Sequence, residues 1–260
     1  MGRPAWQIRI ITLFWPWRNQ LARMCGWPIL RRWLGRTFQG DEARYIPVRV
    51  EIPQAGSWIL PDPWMERLLA LSSFRFLLHR CMCRSSEGCR NYPETIGCLF
   101  LGEGAREIDP SLGKEVSLEE AAAHYRRAKE AGLIPMVGRL RWDSIWLGVK
   151  SKNRLVAICF CCECCCYFGM YRHLPREAAA GLQKIEGLSV QVTEACQGCG
   201  ICVSRCFIGA MKLIEGKAVV GEECRGCGRC ATVCPHRAIA ITLPSEDPLK
   251  EYLCRVAPSD

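Results

Sequence analysis

The chain has 260 residues, a formal charge of +9, 49% hydrophobic residues and 20 Cys. That length admits one large domain or two small ones, and without an apolar run of about 18 residues a membrane-spanning helix is not expected. The cysteines fall in tight runs instead of being scattered like disulfide partners, which points to metal and a reducing compartment.

The charge is local. Residues 1–50 hold nine Arg, no Lys, and only Asp41 and Glu42 as acids, so 9 − 2 = +7 resides there and +2 elsewhere. No nucleic-acid-binding motif accompanies it, and no nucleic-acid partner is expected. Arg9 and Arg18 break the apolar stretch around Ile10 to Trp17, unlike a signal peptide, so the expected location is cytoplasmic. Arg9, Arg18, Arg23, Arg31, Arg32 and Arg36 alternate with Trp, Ile, Leu and Phe, as in an interfacial amphipathic helix at the inner face of a membrane. An arm that anchors to a partner subunit fits the same residues. Pro16 and Pro28 would divide any helix there.

Residues 51–189 form the second segment, a Cys-rich domain. Pro61-Asp62-Pro63 opens an apolar periodic stretch that predicts a helix through His79, with Asp62 as N-cap. A capping box at Ser117-Leu118-Glu119-Glu120 predicts a helix with Leu118, Ala121, Ala122, Tyr125 and Ala128 on one face and Gly132 as terminator. Arg154 to Cys162 reads as a strand, and Arg176 to Ile185 as a further helix closed by Gly187.

Ten cysteines of this segment fall in two groups. Cys81, Cys83, Cys89 and Cys98 offer four thiolates, enough for one iron–sulfur cluster or, alternatively, one structural zinc. Cys159, Cys161, Cys162, Cys164, Cys165 and Cys166 are too crowded for one cubane. Neighbouring side chains on an extended backbone point to opposite faces, which would put Cys162, Cys164 and Cys166 on one side and Cys159, Cys161 and Cys165 on the other. The run would then bridge two metal centres or join the first group in a larger cluster. Glu163 reads as a solvated turn residue, the four His as non-ligands, and Cys25 and Cys254 as plain thiols.

Residues 190–243 contain a repeat of period 28: Glu194-Ala-Cys196-Gln-Gly-Cys199-Gly-Ile-Cys202-Val-Ser-Arg-Cys206, then Glu222-Glu-Cys224-Arg-Gly-Cys227-Gly-Arg-Cys230-Ala-Thr-Val-Cys234-Pro235. A cubane takes four thiolates, and a loop with two residues between ligands wraps three of its corners. Gly198, Gly200, Gly226 and Gly228 let the backbone approach closely. Paired zinc sites are the rival reading. The segment from Pro244 to residue 260 reads as a surface tail.

The repeat resembles the bacterial two-cluster ferredoxins, in which the fourth Cys of each run ligates the other cluster. The resemblance implies two [4Fe–4S] clusters, one on Cys196, Cys199, Cys202 and Cys234 and the other on Cys224, Cys227, Cys230 and Cys206. Phe207 departs from it where Pro is usual. Residues 45–175, with Cys81-Met-Cys83-Arg84 and the Cys-Cys-x-Cys-Cys-Cys run, resemble Cys-rich ferredoxin-like proteins of anaerobes, which implies one or two additional clusters. The expected fold is α+β, a pseudo-two-fold ferredoxin-like unit attached to a mixed Cys-rich domain. The expected function is relay of single electrons to a redox partner in anaerobic metabolism. The alternatives are an enzyme or reductive activating factor with a catalytic upstream centre, and a redox sensor using the thiol run as a switch.

Overall fold

A computed structural model describes residues 2–24, 41–47, 50–52, 57–59, 62–176, 179–245 and 247–258. Helices α1 (Ala5–Leu13) and α2 (Arg18–Met24) flank a 3-10 turn at Trp15–Trp17. Pro16 sits in that turn, where a residue without an amide proton ends one helix and opens the next. The arm is docked: Ile8 and Ala22 are buried, and the amides of Gly2 and Arg3 donate to Glu107 and Leu147 carbonyls. Cys25, Pro28, Arg31, Arg32 and Arg36 lie outside the described residues.

The body is mixed helix and sheet. Its strands are β1 (Glu42–Tyr45), β2 (Val50–Ile52), β3 (Ser57–Ile59), β4 (Arg75–Leu78), β5 (Leu99–Leu101), β6 (Gly113–Glu115), β7 (Ile134–Arg139), β8 (Val156–Cys161) and β9 (Leu182–Gln183). Between them run α3 (Asp62–Leu71), α4 (Met82–Glu87), α5 (Leu118–Glu130) and α6 (Arg141–Leu147). Seven strands join in the order β6-β4-β5-β8-β7-β1-β9, antiparallel except for β1 with β9.

Each face of this sheet has its own core. Val156, Ile158, Phe160 and Cys162 point into the core shared with α3 and α5, while Ala157, Cys159 and Cys161 point to the opposite face. The capping box of α5 forms as expected, and Ala121, Ala122, Tyr125 and Ala128 are buried, but Leu118 is exposed.

Three expectations fail. The helix begun at Asp62 stops at Leu71, because Arg75–Leu78 alternates in burial and pairs with β5 and β6 as a strand. The Asp62 carboxylate accepts from Tyr125 and Lys129. No helix occupies the described part of 176–185. Gly181 packs so close to Asp41 that a Cβ would meet its backbone oxygen at 2.6 Å, and Leu182–Gln183 joins β1. The tail is not surface coil: α9 (Asp247–Val256) buries Leu249, Tyr252, Leu253 and Val256 at helical spacing in the α3–α5 core.

The C-terminal unit comprises β10 (Ser189–Val192), α7 (Ile201–Ser204), β11 (Met211–Ile214), β12 (Lys217–Val220), α8 (Arg229–Thr232) and β13 (Ile239–Thr242). It is joined to the rest of the chain, since β13 pairs with β10 on one side and with β2 on the other.

Candidate metal centres

The sequence repeat is also a repeat of local conformation. Gly198 and Gly226 have φ of 68° and 65°, and Gly200 and Gly228, which precede the short helices α7 and α8, have φ of 73° and 82°. Each bend lies between successive cysteines of its run and is a backbone state that glycine reaches without strain. The Gly198 cradle is tight: a Cβ there would lie 2.0 Å from the Gly216 carbonyl oxygen.

Amide hydrogens face the sulfurs in the same repeated way. Ala210 donates to Cys206 Sγ at 3.2 Å, and Ala238, 28 residues on, to Cys234 Sγ at 3.3 Å. Ala218 donates to Cys196 Sγ at 3.5 Å and Gly226 to Cys224 Sγ at 3.4 Å. Such bonds favour thiolate, and those from Ala218 and Gly198 hold the Cys196 thiol below its ordinary range.

The two sites differ in setting. Cys196, Cys199 and Cys202 line one cavity together with Cys234 from the other run, and Cys199 lies exposed on its rim. His236 lines the same cavity. Cys206 is within electrostatic reach of Cys224, Cys227 and Cys230. Burial pushes the Cys227 thiol up to about 12, so it is protonated at neutral pH until a metal displaces the proton.

The ten upstream cysteines separate along lines the sequence does not show. Cys89, Cys162, Cys164 and Cys165 have their sulfurs all within 4.8 Å of one another, with Cys164 3.6 Å from both Cys89 and Cys165. Cys81, Cys83, Cys98, Cys159, Cys161 and Cys166 form a second set, with Cys81, Cys161 and Cys166 buried and the other three half-buried; thiol contacts run between Cys81 and both Cys83 and Cys98, between Cys98 and Cys159, and between Cys161 and Cys166.

Neither expected grouping survives intact. Cys89 leaves Cys81, Cys83 and Cys98 because Gly88, at φ 57°, ends α4 and turns the chain outward. In the second run, alternation holds only to the end of β8. Residues 163–165 turn, so Cys165 joins Cys162 and Cys164 while Cys166 returns toward Cys161.

Glu163 is not solvated. Its side chain is 8% exposed, accepts from Tyr92 Oη at 2.9 and 3.1 Å and from Arg205 at 2.8 Å, and pairs with Arg229 at 3.4 Å. Burial raises the carboxyl pKa, but its own amide, the Arg229 charge and the Tyr92 and Arg205 bonds outweigh it and hold the group below the usual range. Arg205 and Arg229 each immediately precede a cysteine of the C-terminal repeat, so this carboxylate ties the upstream run to the C-terminal unit.

Residues 218–240 match the family described as 4Fe-4S binding domain. The chain carries an iron–sulfur binding segment. The match covers the second cysteine run, Cys224 to Cys234. No curated protein and no solved structure matches the chain. The donor set fits a [4Fe–4S] group: four thiols, amide hydrogens aimed at sulfur and glycine bends that admit close approach. Such a segment supports a role in electron transfer. Among the described residues no helix is long and apolar enough to cross a membrane.

Sequence reasoning passed over Arg84, Tyr45 and Arg229. Of these only Arg84 stands in an element the sequence singles out, Cys81-Met-Cys83-Arg84, and nothing there signals its burial.

Proposed function

We propose that the protein is an electron carrier with two [4Fe–4S] sites in its C-terminal unit and further metal centres upstream, relaying single electrons between a docked redox partner and the interior. The observation that carries this reading is the crossed assembly of the two runs. Cys234 shares a cavity with Cys196, Cys199 and Cys202, and Cys206 sits with Cys224, Cys227 and Cys230. When bound, the clusters accept and release one electron at a time.

The chain's residues give the relay an outer and an inner end. The cavity containing Cys199 opens to solvent, with Ile201 38% exposed beside it, which suits partner docking. Cys224 and Cys227 instead pack against the apolar cluster that contains Cys161 and Cys166. Cys202 and Cys230 share one small core with Met211, Ala218 and Ile239, which supports two neighbouring sites. A rim cysteine open to solvent suits an oxygen-poor setting.

Iron and acid-labile sulfide counts on anaerobically isolated protein test the reading, together with electron paramagnetic resonance after reduction. Two interacting cubane signals are expected, and Cys230→Ala should remove one of them and about four irons. Zinc in both runs would refute it.

A further inference from the structure

We propose that Cys81, Cys83, Cys98, Cys159, Cys161 and Cys166 line one buried chamber that holds a polynuclear iron–sulfur cluster, separate from the centre at Cys89, Cys162, Cys164 and Cys165. The grouping stands on the contacts alone; only the choice of iron and sulfide rests on the electron-carrier reading.

The backbone builds the chamber. Leu99 pairs with Ile158 in the antiparallel ladder of β5 and β8, so one step further Cys98 stands opposite Cys159. Strand β8 sends Cys159 and Cys161 to one face, α4 begins between Cys81 and Cys83, and the turn after Glu163 returns Cys166. Cys81, Cys161 and Cys166 are each under 8% exposed.

Three neighbours are in place for an anion. Arg84 is 1% exposed, and its guanidinium donates to the carbonyls of Pro93, Phe160 and Ile96. The ionisable groups within its electrostatic reach are sulfurs: Cys81 and Cys98 of this chamber, and Cys162 of the other centre. A buried cation needs such compensation. Tyr45 is 1% exposed, and its hydroxyl, without a nitrogen or oxygen partner among the described residues, lies against Cys161. The buried Tyr167 hydroxyl has no hydrogen-bond partner among the described residues and lies within electrostatic reach of Cys83. Buried donors of this kind are rare unless a further acceptor completes the site.

Six thiols exceed what one zinc ion uses. Tetrahedral zinc–thiolate bonds of about 2.3 Å put the sulfurs about 3.8 Å apart. The Cys89 set fits that compact spacing, with 3.6 Å contacts. The six instead run as a chain, Cys83–Cys81–Cys98–Cys159, with Cys161–Cys166 as a further pair, a spread of donors too long for one ion. Inorganic sulfide bridging several irons would span such a set, each ligating thiol giving up its proton as its sulfur bonds iron.

The test compares full-length protein carrying Cys98→Ala with Cys159→Ala against protein carrying Cys89→Ala with Cys164→Ala, using iron, zinc and sulfide analysis and Mössbauer spectroscopy. The first pair should lose at least about four irons with equal sulfide, while metal at the Cys89 set and the resonance of the C-terminal unit persist. Loss of a single metal without sulfide, no loss, or loss of the same metal from both variants would overturn the proposal. Should the variants fail to fold, native mass spectrometry of the unaltered protein decides. Two C-terminal cubanes account for about eight irons and the Cys89 set for either one zinc or about four irons, so at least twelve irons beside one zinc, or more than twelve without zinc, is expected, and a lower count in either case overturns it. Failure of the electron-carrier reading shows separately, as absence of cubane resonance from the unaltered C-terminal unit.

Discussion

Arg229, in the second cysteine run of the C-terminal unit, lies 3.4 Å from Glu163, in the middle of the upstream run, and both side chains are under 9% exposed. The pair joins two cysteine-rich regions by charge. Glu163→Gln removes the anion and leaves Arg229 buried without its carboxylate, which costs on the order of 3 kcal/mol. It also withdraws negative charge from beside the sulfurs, so reduction of the nearby centre becomes easier. We expect its potential to rise by roughly 60 mV, a tenfold change for one electron. A potentiometric titration followed by electron paramagnetic resonance measures this, and an unchanged or lowered potential would count against the pair's electrostatic role.

The glycine bends separate steric need from conformational need. At Gly198, φ is 68° and a Cβ would strike the Gly216 carbonyl oxygen; at Gly200, φ is 73° but the space is open. Gly200→Ala should therefore cost only the strain of the left-handed backbone, about 1–2 kcal/mol, and keep its iron. Gly198→Ala must displace the β11–β12 turn and should lose the iron of the Cys196 cavity. Iron counts and thermal unfolding of both variants distinguish the two costs.

The grouping of the C-terminal cysteines was legible because its signals are local: two-residue spacings, glycines and a 28-residue repeat need no tertiary information. The upstream run was legible only as far as β8 extends. Alternation correctly sent Cys159 and Cys161 away from Cys162, but the turn at 163–165 exchanged Cys165 and Cys166. Cys89 was misassigned for the same kind of reason, since the left-handed Gly88 reverses the chain after a single short helix. The Arg75–Leu78 stretch looked helical because its strand character comes from neighbours distant in sequence, Leu99–Leu101 and Gly113–Glu115. Arg84 belongs to this class: a lone Arg beside cysteines gives no sign that it will be sealed among three carbonyls.

Asp143 offers a pH test. Its Oδ1 accepts from Trp146 Nε1 at 3.0 Å while Oδ2 has no partner among the described residues, and burial, aided by the nearby Asp41 charge, lifts the carboxyl from 3.8 to about 7. The folded state therefore holds this proton more tightly than the unfolded state. The group's stabilising contribution is full below about pH 4 and is lost as pH rises to about 7, by at most about 4 kcal/mol. Infrared difference spectra should show a protonated-carboxyl band that disappears with a midpoint near 7. Asp143→Asn should abolish the band and flatten the stability slope over that window, and a band that titrates near 4 would contradict the assignment.

The N-terminal arm carries the remaining prediction. Trp6, Ile10, Leu13, Trp17, Leu21 and Met24 recur at intervals of three and four residues and are 46–74% exposed, and Phe14, 62% exposed, packs edge-on to Trp17. This row faces outward while Ile8, Arg18 and Ala22 face the body, so the arm presents apolar residues to its surroundings by construction. Residues 1–24 contain four Arg and no acid. That charge suits an anionic lipid surface, where Trp settles at the headgroup boundary and Arg meets phosphate. Deleting the arm would strip Ile8 and Arg18 from the body, so the appropriate variant alters the outward row alone. Full-length protein should float with phosphatidylglycerol vesicles, weakly with phosphatidylcholine and less at high salt, and Trp6→Ser with Leu13→Ser and Trp17→Ser should abolish flotation while leaving the metal content unchanged. Equal flotation of the two proteins would remove the lipid reading. Absence of flotation by the unaltered protein would assign the row to a protein partner instead.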